Sequence, residues 1–122
     1  MAKSWDNQRT IAETGSTRSI LPTDHTTFFH NLGGGACTWT LPAMADLQVG
    51  WWVEFACCAA GDQVYTASAD DLILYNDGTA TSLTVGTDGE EIGFSCKIRL
   101  ISANLFFMEY RLASETQSVT VA

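Results

Sequence analysis

Apolar and polar residues alternate with a period of two through most of this chain, the mark of half-buried strands. In residues 36–41 the apolar positions are Cys37, Trp39 and Leu41, and two threonines take the other face. Pro42 ends that strand because it offers no N–H to a ladder. After Gly50, residues 51–57 place Trp51, Val53, Phe55 and Cys57 on one face and Trp52 and Glu54 on the other. The longest alternation runs through Ile92, Phe94, Cys96, Ile98 and Leu100, with Ser95, Lys97 and Arg99 opposite. Residues 102–104 then reverse the chain, and Phe106, Met108, Tyr110 and Leu112 mark the return strand of an antiparallel hairpin. Shorter strands are predicted at 26–32, 63–67, 72–75 and 80–85, and residues 116–121 can form an edge strand or pair with a neighbour. Turn signals separate them at 33–35, 60–62, 76–79 and 87–90.

No stretch has helical periodicity, and residues 43–47 hold at most one turn of helix. The pattern therefore predicts an all-β fold, an antiparallel β-sandwich or barrel-like domain. Its expected core is Trp39, Leu41, Trp51, Val53, Phe55, Ile92, Phe94, Ile98, Phe106, Met108 and Tyr110.

Residues 1–22 break the pattern. Up to Ser19 they mix polar residues and isolated charges, with Trp5 and Ile11 as the only large apolar side chains. An extended N-terminal arm is predicted, closed by Pro22, ahead of a single β domain at 23–122 whose last residues, 113–122, form a polar tail. Fully extended, such an arm reaches about 70 Å. A lone tryptophan in a polar arm is the kind of side chain that anchors in a partner, so Lys3, Trp5, Arg9, Ile11 and Arg18 are candidate contact residues. An arm folded back on its own domain, or simply disordered, is the competing expectation.

Length and charge narrow the picture. A chain of 122 residues suits one domain with a core that needs neither metal nor disulfide. The net charge of −8 argues against nucleic acid, which requires a surplus of Lys and Arg. The charge is uneven: residues 1–22 are near neutral, and residues 23–122 carry three basic against twelve acidic groups. No apolar run is long enough to span a bilayer, and residues 1–16 contain no apolar signal segment, so use from the cytoplasm is expected.

Candidate chemistry is sparse. Cys37, Cys57, Cys58 and Cys96 lack the spacing of a zinc site and read as reduced core residues. His25 and His30 have no third ligand nearby, and no metal or cofactor is expected. Asp70-Asp71 and Glu90-Glu91 point apart as sequence neighbours and read as solvated turn residues, not as an acid/base couple. No nucleophile motif, P-loop or calcium loop is present, so a non-enzymatic protein is predicted. Of Trp51 and Trp52 one must leave the core face, where it could stack a sugar; burial of both between sheets is the alternative.

The order of motifs resembles a small β module of tailed-phage virion proteins. The resemblance rests on residues 23–29 (TDHTTFF), 37–43 (CTWTLPA), 47–55 (LQVGWWVEF), 81–85 (TSLTV) and 89–92 (GEEI), and it covers about residues 20–112. The closing strand departs from it, with residues 105–110 (LFFMEY) where that pattern carries a tryptophan. Such modules occur as decoration proteins of phage heads and as appended domains of tail fibres. A small chain that starts at Met1 and carries a polar arm fits the head. The resemblance thus implies a capsid decoration (cement) protein on the outer surface of the virion head, assembled in the host bacterial cytoplasm. It would bind where major capsid protein subunits meet and self-associate as a homotrimer. The alternative is a receptor- or glycan-binding module of a tail fibre, and a small hydrolase is a third class.

Overall fold

The computed structural model describes residues 8–68, 71–75, 78–86, 91–113 and 119–121. Among them the chain forms β1 (Thr10–Ala12), β2 (Thr17–Ser19), β3 (Phe28–His30), β4 (Cys37–Thr40), β5 (Trp52–Ala56) and β6 (Gln63–Thr66). It continues with β7 (Ile73–Tyr75), β8 (Gly78–Ala80), β9 (Ser82–Val85), β10 (Ser95–Ser102), β11 (Leu105–Arg111) and β12 (Val119–Val121). Two short 3-10 turns, Pro22–Asp24 and Met44–Asp46, are the helical segments described. The fold is all-β, as the alternation predicted. Lys3, Trp5, Asp70, Glu90 and the turn residues Asn76, Asp77 and 87–89 lie outside the described residues.

The strands form two mixed sheets, one of seven in the order β1-β3-β5-β10-β11-β7-β8 and one of five in the order β12-β9-β6-β4-β2. The expectation of purely antiparallel pairing is corrected. From β1 to β6 the chain alternates between the sheets, so that β1, β3 and β5 lie parallel in one and β2, β4 and β6 lie parallel in the other. Parallel neighbours need a long crossover, and here each crossover is a strand of the opposite sheet. The hairpin β10–β11 is antiparallel as predicted, with a register shift between Leu100 and Ser102.

One core lies between the sheets. Phe29 and Phe55 of the larger sheet meet Trp39 and Tyr65 of the smaller, with ring centroids 5.8 Å apart for Phe29–Trp39, 5.2 Å for Trp39–Phe55 and 4.9 Å for Phe55–Tyr65. Leu41, Trp51, Val53, Phe94, Ile98, Phe106 and Met108 are buried with them, as expected. Each such side chain contributes about 1.5–3 kcal/mol by leaving water. Tyr110 packs at the margin, half-buried and stacked on Phe94. Ile92 is not a core residue; it is 51% exposed. Gly93 (φ 100°) sits in a turn closed by the Phe94 N–H donating to the Glu91 carbonyl, which shifts the alternation by one before β10 begins.

The predicted arm is corrected as well. From Thr10 onward it belongs to the body: β1 pairs with β3 in the larger sheet, β2 pairs with β4 in the smaller, and Ile20 is buried. A single segment is thereby laid across an edge of both sheets. Backbone pairing is what holds it, since unpaired ladder groups at a sheet edge readily accept another strand.

Candidate functional site

Strand register sorts the outer face of the larger sheet into three rows. Trp52, Arg99, Phe107 and Leu74 form the first. Phe28, Glu54, Lys97 and Glu109 form the second, and His30, Ala56, Ser95 and Arg111 the third. Lys97, Arg99 and Arg111 are the three basic residues of 23–122, so every cation of the acidic body stands on this one face. The Lys97 ammonium sits 4.1 Å from the centre of the Trp52 ring, a cation–π contact. The His25 ring meets Trp52 edge-on at 5.9 Å, and the Trp52 backbone N–H donates to His25 Nδ1 at 3.1 Å. Arg99 pairs with Glu109 at 3.2 Å, and Gln8 Nε2 donates to Glu54 Oε1 at 2.7 Å. A shallow groove of about 340 Å³ opens among Phe28, Glu54, Ser95, Lys97, Glu109 and Arg111.

Of the two adjacent tryptophans, Trp51 is in the core with its indole N–H donating to the Pro22 carbonyl at 2.9 Å. Trp52 is half-buried on the outer face. Burial of both is therefore not what the chain adopts, yet the Trp52 ring already carries Lys97 on its face. Beside Trp51 an open hollow of about 500 Å³ is bordered by Pro22, His25, Asp46 and Val49.

The outer face of the smaller sheet is of another kind. Its rows read Thr17, Thr38, Val64, Thr84 and Ser19, Thr40, Thr66, Ser82. These side chains bear hydroxyl or β-branched groups and no charge.

The other candidate contact residues of the N-terminal segment are engaged within the chain. Arg9 pairs with the buried carboxylate of Asp24 at 3.2 Å, and Asp24 also accepts the Leu21 N–H. Ile11 packs against the core. Arg18 pairs with Glu13 at 3.1 Å and lies over the Phe29 ring. Glu13 is held below the ordinary carboxylate range, first by the hydrogen bond from the Gly15 N–H and then by Arg18, against the opposing effect of burial.

Sequence reasoning missed a buried polar cluster at one end of the sheets. The Asn31 side chain accepts the N–H groups of Cys58 and Ala59 and donates to the carbonyls of Gly35 and Ala59. Gln63 accepts the Trp39 indole N–H at 2.9 Å and donates to the carbonyls of Gly35 and Gly61. Glu91, expected as a solvated turn residue, is buried and accepts the Gly61 N–H at 2.6 Å. Asp71 is half-buried and accepts the Met44 N–H. The one available signal was Gln63, a polar residue sharing the inward parity of Tyr65 and Ala67. Asn31 and Gln63 direct their hydrogen bonds to the loops they join, so their role is architectural.

All four cysteines are free, and Cys37, Cys57 and Cys96 are buried. Burial pushes the thiols of Cys37 and Cys57 up to about 11 and that of Cys96 higher still, which keeps them protonated and unreactive. Among the described residues no three His, Cys, Asp or Glu side chains converge on a point where a metal ion could sit. Compared with known proteins, the chain matches no protein family, and neither a curated protein nor a solved structure proved similar to it.

Proposed function

We propose that this chain is a non-enzymatic capsid decoration (cement) protein of a tailed phage. In this reading it is a β-sandwich that sits on the outside of the head where major capsid protein subunits meet, and it associates as a homotrimer. The observation that carries the reading is the outer face of the smaller sheet, whose strand positions carry no charge among the described residues of a chain with net charge −8, with Asp62 at its margin just before β6. Covering an ion against a partner costs its hydration, so the centres of protein interfaces are depleted of charge. This face can be covered without that cost.

A standard interface covers roughly 800 Å² per partner, of which the outer face of the smaller sheet would supply a part. Residues ahead of β1, Lys3 and Trp5 among them, add to it, and many copies on one shell add their modest contacts by avidity. Assembly in a bacterial cytoplasm keeps the thiols reduced. Nucleic acid and membrane have no part in this reading, since the acidic charge repels phosphate.

Capsids lacking the protein, mixed with the purified chain, are expected to show saturable occupancy at fixed lattice positions by cryo-electron microscopy. Thr40 and Thr66 are cross-strand neighbours. Thr40→Lys combined with Thr66→Glu places an opposite-charge pair there, which preserves the sheet and should abolish capsid binding. Deletion of residues 1–7 should weaken binding while keeping every described strand. Full capsid occupancy by the charged double variant would sink the proposal.

A further inference from the structure

We infer that the groove on the outer face of the larger sheet is a saccharide site for a neutral hexose or N-acetylhexosamine unit. The inference stands apart from the capsid reading, because it uses the other sheet. Sugar recognition requires an apolar plate for a C–H face and planar, multiply hydrogen-bonding side chains around the hydroxyl groups. Phe28, half-buried in the groove wall, supplies the plate. Glu54 and Glu109 supply carboxylates. Oε1 of each is engaged, by Gln8 and by Arg99, and each has a second oxygen with which to accept a sugar hydroxyl. Arg111 is exposed and pairs with no carboxylate among the described residues, so its guanidinium is free to donate.

Charge selects among sugars. Lys97 and Arg111 balance Glu54 and Glu109, so the groove lining is neutral while the chain as a whole carries −8. The acidic charge elsewhere on the chain disfavours polyanionic glycans at a distance and leaves uncharged ones unaffected. The volume of about 340 Å³ is at the small end of ligand sites, which span about 300–1,000 Å³, and matches a sugar unit more closely than a folded partner. Trp52 is not the stacking plate, because Lys97 occupies its face.

The test is a ¹⁵N–¹H NMR titration with malto-, galacto- and chito-oligosaccharides at millimolar concentration, and with oligogalacturonate as the acidic counterpart. At least one neutral probe should shift the amides of Phe28, Glu54, Ser95, Lys97, Glu109 and Arg111, and oligogalacturonate should not. Arg111→Ala and Glu109→Gln each remove an exposed group and should leave the melting temperature in place. Each should weaken the neutral sugar by about tenfold or more, the loss of one charge-assisted hydrogen bond. The site is ruled out if no neutral probe shifts these amides, if the acidic probe shifts them as strongly, or if both variants bind as the unaltered chain does. A groove that answers only to acidic peptides added as a further probe would also overturn the saccharide assignment.

Discussion

Among themselves, strands β1 to β6 pair only in parallel, with partners 18 to 26 residues apart, whereas β10 and β11 pair antiparallel across a two-residue turn. The hairpin carries its own register. Its apolar alternation and its tight reversal specify the same pairing, and its outer face needs only the exposed Arg99–Glu109 pair. The wound half has no local closure. Its turns are stacked by contacts between loops, with Asn31, Gln63 and Glu91 joining the segments 31–35 and 57–63 to each other and to the turn before β10. In the first region polar contacts between loops supplement the aromatic core of Phe29, Trp39, Phe55 and Tyr65, whereas in the second apolar parity and a tight turn suffice.

That contrast can be broken at a pair of glycines. Gly61 has φ 137°, and a Cβ there would collide with the backbone of Ala36 in the adjoining loop. Gly61→Ala is expected to cost more than about 3 kcal/mol, by strain and steric overlap together. Gly93, at φ 100°, faces only the Ala113 side chain at 3.4 Å, so Gly93→Ala should cost about 1–2 kcal/mol. Urea denaturation of the two variants gives the comparison, and equal losses would contradict it.

Asn31→Leu comes next. It leaves the part-buried N–H groups of Cys58 and Ala59 without their acceptor and should cost about 1–3 kcal/mol. A pH series sharpens the picture further, because Cys37 and Cys57 both lie in the wound half. Burial raises each thiol in the folded state from 9.0 to about 11. Stabilisation from the protonated thiols is complete below pH 9 and is lost as pH climbs from 9 to about 11. Chemical denaturation across that window should show the decline, and Cys37→Ala should lessen it while Cys57 and Cys96 keep the remainder. The smallest effect is predicted for the hairpin: Glu109→Gln removes an exposed ion pair and should change stability by less than about 1 kcal/mol.

The same division explains what was legible in the sequence. Phe94 to Leu100 and Phe106 to Met108 were placed on the core face because a run of strand residues displays its period directly. Ile92 failed because a single left-handed glycine moves the parity, and residue type alone does not disclose that backbone angle. The arm failed for a different reason. β1 and β2 are three residues each with one inward side chain, Ile11 or Arg18, so there is no period to detect. Parallel pairing leaves no local mark either, because its partners meet only through the opposite sheet. The charge alternation of Lys97 and Arg99 could be read along β10. The alignment of Lys97 beside Glu54 and Phe28 could not, since it depends on the register of three strands.

Among the described strands only β7–β8 and β10–β11 are consecutive within one sheet; each other consecutive pair lies in opposite sheets. The chain is laced like a boot, each pass drawing both sides together. Heat, denaturant or a pulling force therefore has no seam along which to separate the sheets, and losing one means unthreading the other. Melting should be a single event, with no half-protein left standing. A protease that cuts one exposed loop will leave fragments still bound by the passes on either side, so the nicked molecule should elute intact until it is denatured.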